Sequence, residues 1–305
     1  MDKFAAIEAL VAVVESGSFQ AAGERLNVAK SVVSRRINLL EQSLNTRLLN
    51  RTTRSQSLTD EGQQFYQRSV QILADLEDAE IQSSQDSEDI RGNLKLAAPL
   101  SFGLSHLSKA ITDFMCEHPA IELNMDLNDR TLNLVEDGFD MAVRIGELED
   151  STLIARRIGI SRFLTCASPD YLEKYGNPNT PEELNKHIGL QYSNSTYKRH
   201  WQFLSDDGQL HQGLPQIRIR ANNGEALVEA ALAGLGISRS PTFICYKYIE
   251  SGDLVPILTD YQIPSMGIYA VYPPGRMMPH RVKVFTDFLS DRYGEHPYWD
   301  DCLLQ

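Results

Sequence analysis

The chain has 305 residues, a formal net charge of -12, 42% hydrophobic and 23% charged residues, which is ordinary for a soluble protein of two or three domains with real cores. No apolar run reaches the ~18 residues of a membrane span, and the opening Met1-Asp2-Lys3-Phe4 lacks the basic-then-apolar form of a signal peptide. The four cysteines, at 116, 166, 245 and 302, have no C-x-x-C spacing, so reduced thiols in a cytoplasmic protein are the simplest reading and a redox-sensing pair the lesser alternative.

Phe4 to Ser16 predicts a helix with one apolar face of Phe4, Ile7, Leu10, Val11 and Val14. Gly17 suits its left-handed stop, and Ser18 caps a second helix that runs to about Leu26. Asn27 suits a left-handed turn, and a third helix spans about Lys30 to Ser43. Val33, Ile37, Leu40 and Leu44 form its buried stripe. Lys30, Ser31, Ser34, Arg35 and Asn38 fall on a different face, beside Arg36. Short hydroxyls and cations on that face suit phosphates and base edges, although an ordinary helical hairpin with a solvated face has the same pattern. Leu48-Leu49 and Leu58 then flank a small hairpin, or wing, whose tip carries Arg51, Thr52, Thr53 and Arg54. Between Phe19 and Leu58 there are seven cations against two acids, a net +5 inside an acidic chain, which is the electrostatic footprint of a nucleic-acid module.

Thr59 caps a long helix to about Asp89, with Asp60 and Glu61 in its first turn. Phe65, Ile72, Leu76 and Ala79, with Ser69 and Ser83, make one weak heptad seam on an otherwise acidic helix. The seam packs either on its own domain or on a second subunit, and its length favours the second. Beyond Gly92 the pattern changes. Strands are predicted at 93–98, 121–126, 140–145, 163–166, 189–192, 217–221, 236–238 and 267–272. Helices are predicted at 102–116, 132–135, 169–175, 181–186, 223–233 and from Pro279 to about Arg292. Alternation of this kind implies parallel α/β sheets.

Ala21-Ala22, Leu26, Val33-Ser34-Arg35, Ile37, Leu40-Glu41, Leu48-Leu49, Arg51-Thr52-Thr53-Arg54 and Leu58-Thr59-Asp60-Glu61-Gly62 match the N-terminal signature of LysR-type transcriptional regulators. The resemblance covers the whole chain. Ala98 to Gly103, Arg144 to Leu148, Ala221 to Leu227 and Tyr269 to Pro273 resemble the CrgA-like branch. Many family members have proline or glutamine where this chain has Lys30-Ser31, so base preference does not transfer. The resemblance implies a winged helix-turn-helix at 1–58, a dimerising linker helix at 59–89 and an effector domain at 90–305. That domain has two lobes like those of periplasmic binding proteins, lobe I at about 92–161 and 267–305 and lobe II at about 162–266. The implied partners are double-stranded DNA, a small-molecule effector and further copies of the chain, as a dimer or tetramer, with no membrane, cofactor or metal.

Ligands of open α/β sheets sit beyond the carboxyl ends of strands. Three such ends stand out: Pro99, Leu100, Ser101 and Phe102; Arg144, Ile145 and Gly146; and Asn222 with Asn223. Phe102 and Ile145 are expected to hold an apolar body, and the helix N-termini near Ser101 and Asn223 an anionic or polar group. Ser101 and Asn222 are equally readable as plain caps, and Arg144 as a structural ion-pair partner. No G-x-S-x-G, H-E-x-x-H, P-loop or G-x-G-x-x-G occurs, which argues against an enzyme. A solute-binding module with a basic docking arm is the rival reading.

Overall fold

A computed structural model describes residues 2–51, 56–83, 90–130, 133–148, 152–194, 200–274 and 278–303. The chain divides into two compact units, Met1–Gly92 and Asn93–Gln305.

The N-terminal unit begins with α1 (Lys3–Ser16), α2 (Phe19–Arg25) and α3 (Lys30–Leu44). Its turns are fixed by local chemistry. Asp2 accepts a hydrogen bond from Ala5 N–H at 3.1 Å, and Ser18 Oγ accepts one from Ala21 N–H at 3.1 Å. Gly17 takes φ 70°, a conformation that only glycine adopts freely, while Asn27 and Asn45 are left-handed at φ 52° and 50°. Val33, Ile37 and Leu40 are fully buried against Leu10, Val13 and Phe19, each burial worth about 1.5–3 kcal/mol. The wing is the antiparallel pair β1 (Leu49–Arg51) and β2 (Gln56–Leu58), with Leu49 opposite Leu58. Glu41 of α3 anchors it by accepting N–H groups of Leu48 and Leu49 at 2.8 and 3.1 Å.

Helix α4 (Asp60–Ser83) follows, and Thr59 Oγ1 accepts from Gly62 N–H at 2.9 Å. Its 24 residues rise about 36 Å. The single seam expected from the sequence divides. Phe65 packs on the helix-turn-helix core and Ser69 is buried, whereas Ile72 is 45% exposed. The side chains of Ala79 and Ser83 lie outside the described residues.

The second unit contains two five-stranded sheets. The strands and helices in chain order are β3 (Gly92–Ala98), α5 (Leu100–Phe102), α6 (Ser108–Glu117), β4 (Ile121–Leu127), β5 (Met141–Gly146), β6 (Ile154–Ser161), β7 (Phe163–Ala167) and α7 (Pro169–Tyr175). Then come β8 (Ile188–Tyr192), β9 (Trp201–Ser205), β10 (Leu210–Gly213), β11 (Gln216–Ala221), α8 (Gly224–Leu232), β12 (Ile237–Pro241) and α9 (Thr242–Glu250). The last are β13 (Val255–Ile257), β14 (Tyr261–Gln262), β15 (Met266–Tyr272) and α10 (His280–Tyr293). Lobe I has strand order β4-β3-β5-β15-β6, and lobe II has β11-β8-β12-β7-β13 with a small sheet β10-β9-β14 beside it. The chain crosses between lobes after β6, through Arg162, and again before β15.

Several elements differ from the sequence expectation. The sheets are mixed rather than parallel: β3 runs parallel to β5, but β15 is antiparallel to both β5 and β6. Strand β6 breaks the alternation rule because Arg156 and Arg157 reach outward to Asp287 and Glu295. The helix after Pro99 contains a π-helical stretch at Gly103–Leu107, and Pro181–Lys186 is a 3-10 helix. Among the described residues around 132–135 there are turns and no helix. Helix α9 was not expected, because its run Thr-Phe-Ile-Cys-Tyr is β-branched and aromatic. The C-terminal turn Tyr298–Leu303, expected in lobe I, also joins lobe II, since Asp300 Oδ1 accepts from Thr242 Oγ1 at 2.6 Å.

Candidate functional site

The surface of α3 follows from its stripe. With Val33, Ile37 and Leu40 buried, Lys30, Ser31 and Arg35 are exposed, and Ser34, Arg36 and Asn38 are half-buried beside them. Ala29, the residue before α3, offers no side-chain cap to the N–H groups of the helix's first turn. Backbone pairing places Arg51 opposite Gln56 in the wing. The Arg51 side chain, Thr52, Thr53 and Arg54 lie outside the described residues.

In the second unit, Pro99 closes β3 in extended geometry (φ -60°, ψ 140°) and starts the helix. Ser101 does not cap it. It is 7% exposed and its Oγ accepts a hydrogen bond from Asn223 Nδ2 at 3.2 Å, so two of the expected residues meet across the lobes. Asn223 is the cap of α8, accepting Ala226 N–H at 3.0 Å, whereas the sequence reading gave that role to Asn222, which is exposed. The correction is one residue: α8 starts at Gly224, so the cap precedes it directly.

Leu100 N–H is held by a residue not foreseen, Asp129, whose Oδ1 lies 3.1 Å away. The rule about strand ends would have found it, because Asp129 follows β4. Phe102 is a second correction. It has 0% exposure and packs in a ring cluster, 5.4–5.8 Å from His106, Phe243, Tyr293 and Trp299. It supports the wall from behind and is not available to hold a ligand. Arg144, Ile145 and Gly146 end β5 half-buried, with Arg144 opposite Tyr269 and Ile145 opposite Ile268 on β15. From lobe II, Tyr192 ends β8; burial first, and the Asp129 charge second, push its hydroxyl pKa up. Beside this seam a groove of about 410 Å³ runs between α8 and α9, reaching Ser105, Asn223, Glu225, Phe243, Tyr246 and Lys247. Among the described residues no His, Cys, Asp and Glu group has metal-binding geometry.

A winged helix-turn-helix followed in one chain by a two-lobed α/β unit is the build of a DNA-binding transcriptional regulator. The model of the bacterial regulatory helix-turn-helix protein, lysR family, matches residues 4–63, and that of the LysR substrate binding domain matches 87–294. An uncharacterized HTH-type transcriptional regulator of Haemophilus influenzae is 38% identical over 282 residues, covering 92% of this chain and 98% of its own. The solved structure of CrgA, a LysR-type transcriptional regulator from Neisseria meningitidis, is 36% identical with TM-score 0.61, covering 95% of this chain and 99% of that one. The full-length structure of the Vibrio cholerae virulence activator AphB is 28% identical with TM-score 0.60, covering 93% and 97%. The chain belongs to the LysR family of transcriptional regulators.

Proposed function

We propose that this regulator binds a partly palindromic duplex as a dimer or tetramer, through Lys30, Ser31, Ser34, Arg35, Arg36, Asn38 and the wing residues Arg51 to Arg54. A small molecule between the lobes changes how the copies are placed on DNA. The observation that carries the reading is the two-sidedness of α3. Its stripe is sealed in the core while the adjacent face offers two exposed cations, Lys30 and Arg35, with Ser31 between them. One such module covers one half-site, so two copies are needed for a palindrome.

The cleft half of the proposal rests on Ser101 and Asn223, which join strand ends of different lobes. In this reading Pro99 and Leu100, which precede Ser101, Asn222, which precedes Asn223, and Arg144, Ile145 and Gly146 at the end of β5 complete the site, and a ligand there acts only through its differential affinity for two arrangements. The protein is cytoplasmic in this reading and has no catalytic centre, cofactor or metal. No single described helix is long and apolar enough to cross a membrane.

The test is fluorescence anisotropy with a labelled random duplex pool and the duplexes selected from it, at several salt concentrations. A regulator retains a preferred sequence, with a log–log salt slope of about 0.9 per phosphate neutralised. Absence of salt-dependent duplex binding would leave the solute-binding module with a docking arm as the better reading.

A further inference from the structure

Two covalent crossovers join the lobes, one through Arg162 after β6 and one before β15. The end of the chain makes a third connection. Gly294, left-handed at φ 52°, takes the backbone out of α10 in lobe I, where its N–H donates to Ile158 O at 3.2 Å. The turn Tyr298–Leu303 then lies against α9 of lobe II.

Three residues hold this turn by different means. Asp300, 8% exposed, pairs with the Arg162 guanidinium at the crossover and accepts from Thr242 Oγ1 of α9 at 2.6 Å. Arg162 also donates from both Nη atoms to Glu295 O, at 3.3 and 3.2 Å, so one guanidinium grips the segment at two points. Removing either partner of such a pair leaves a poorly solvated charge behind. Tyr298 donates its hydroxyl to His106 of lobe I at 2.6 Å. Trp299 is fully buried, its ring centroid 4.5 Å from that of His106 in lobe I and 6.4 Å from that of Phe243 in α9.

The seat has two unmet donors. Trp299 Nε1 and the Tyr293 hydroxyl are buried and have no hydrogen-bond partner among the described residues. Both gain water once the turn lifts, so opening recovers part of its own cost. The seat also lies on the helical stretch that reaches the seam. Phe102 and His106 meet Trp299, while Ser101 meets Asn223. Within that stretch Gly103–Leu107 is π-helical, a rare geometry found mostly as single turns at functional sites.

We propose that the C-terminal turn is a strap that fixes the angle between the lobes, and that its release frees them to rotate about the two crossovers. The device acts on the lobes alone, with or without a ligand at the seam.

The experiment compares the full chain with the double variant Tyr298→Phe and Asp300→Asn, which removes one hydroxyl and one charge and keeps every ring. Alkylation by N-ethylmaleimide, mapped by mass spectrometry, reads the strap through buried Cys302, with buried Cys166 of β7 as the control for unfolding. Pulsed electron paramagnetic resonance reads the lobes. Nitroxides are placed on Lys109→Cys in α6 and Lys174→Cys in α7, with Cys116→Ser and Cys302→Ser in the background and labelled chain diluted into unlabelled chain. The expected result is a rise in Cys302 alkylation of about tenfold or more with Cys166 unchanged. The interlobe distance should be narrow in the parent chain and broad in the variant. Unchanged Cys302 alkylation overturns the proposal, because the polar ties then do not hold the turn. A matched rise at Cys166 overturns it too, since the turn is then ordinary core whose loss unfolds lobe II. A freed Cys302 with a narrow interlobe distance also overturns it, since the lobes are then fixed without the strap. If circular dichroism shows the double variant unfolded, Tyr298→Phe alone decides by the same readouts.

Discussion

The Nδ1 atom of His106 lies 2.6 Å from the hydroxyl of Tyr298, 192 positions later in the chain. Its other nitrogen, Nε2, lies 2.8 Å from the carbonyl oxygen of Phe243. A carbonyl only accepts, so Nε2 carries the proton and Nδ1 accepts from Tyr298. One neutral imidazole thus ties the π-helical stretch of lobe I to α9 of lobe II and to the C-terminal turn.

Burial lowers the His106 pKa from 6.5 to about 4, with Lys247 adding to the effect and the Phe243 carbonyl opposing it. The unfolded chain takes up this proton below 6.5 and the folded chain only near 4. Stability from this group is therefore complete above pH 6.5 and is lost as pH falls toward 4, by up to about 3 kcal/mol. Urea midpoints at pH 7 and pH 5 should differ less in His106→Gln than in wild type. Equal differences would show that His106 does not set the acid sensitivity.

Gly62 is where α4 touches the wing. A Cβ there would stand 2.0 Å from the Leu48 carbonyl oxygen, and that carbonyl is fixed by the Thr59 N–H at 3.0 Å. Gly62→Ala should destabilise the N-terminal unit by about 1–3 kcal/mol, because the backbone must move. Chemical denaturation of the variant checks this, and an unchanged midpoint would mean that α4 shifts without cost.

Arg35 is exposed on the face of α3 opposed to the core. Arg35→Ala should cost roughly 1–3 kcal/mol on a preferred duplex and little on random DNA if the guanidinium pairs with a base. Equal losses on both, measured by anisotropy, would make Arg35 a phosphate contact.

The outer half of α4 carries Ile72 at 45% exposure and Val70 at 38%. Ile72→Glu should leave the melting of the N-terminal unit nearly unchanged while lowering the mass seen by light scattering. An unchanged mass would show that copies associate elsewhere.

The N-terminal unit was legible because its signals are local. Gly17, Ser18 and Asn27 set turns by their own side chains or lack of one, and the α3 stripe repeats at helical spacing. Glu41 was the exception: it caps the wing from seven residues away, and no local pattern marks such a contact. In the second unit the strand ends at Pro99, Gly146 and Ala221 were visible, but their partners were not. Phe102 reads as an apolar residue at a cleft, and only the convergence of His106, Phe243, Tyr293 and Trp299 makes it core. Asn222 and Asn223 are chemically identical caps, and a single step of helix phase decided between them. Strand β6 was hidden by Arg156 and Arg157, whose acids lie more than a hundred residues downstream.

The position of β15 constrains how this chain is made. It lies between β5 and β6, so the lobe I sheet has two unpaired interior edges until residue 272 has been synthesised. All of lobe II is translated during that interval, while Met141 and Val143 of β5, both buried in the finished sheet, lack the neighbouring strand. Unpaired strand edges template association between chains. A ribosome stalled within lobe II would therefore release a product with a foldable DNA-binding module joined to a sticky half-sheet. Protein shortened before β15 should accumulate as aggregate rather than as a regulator without its ligand response.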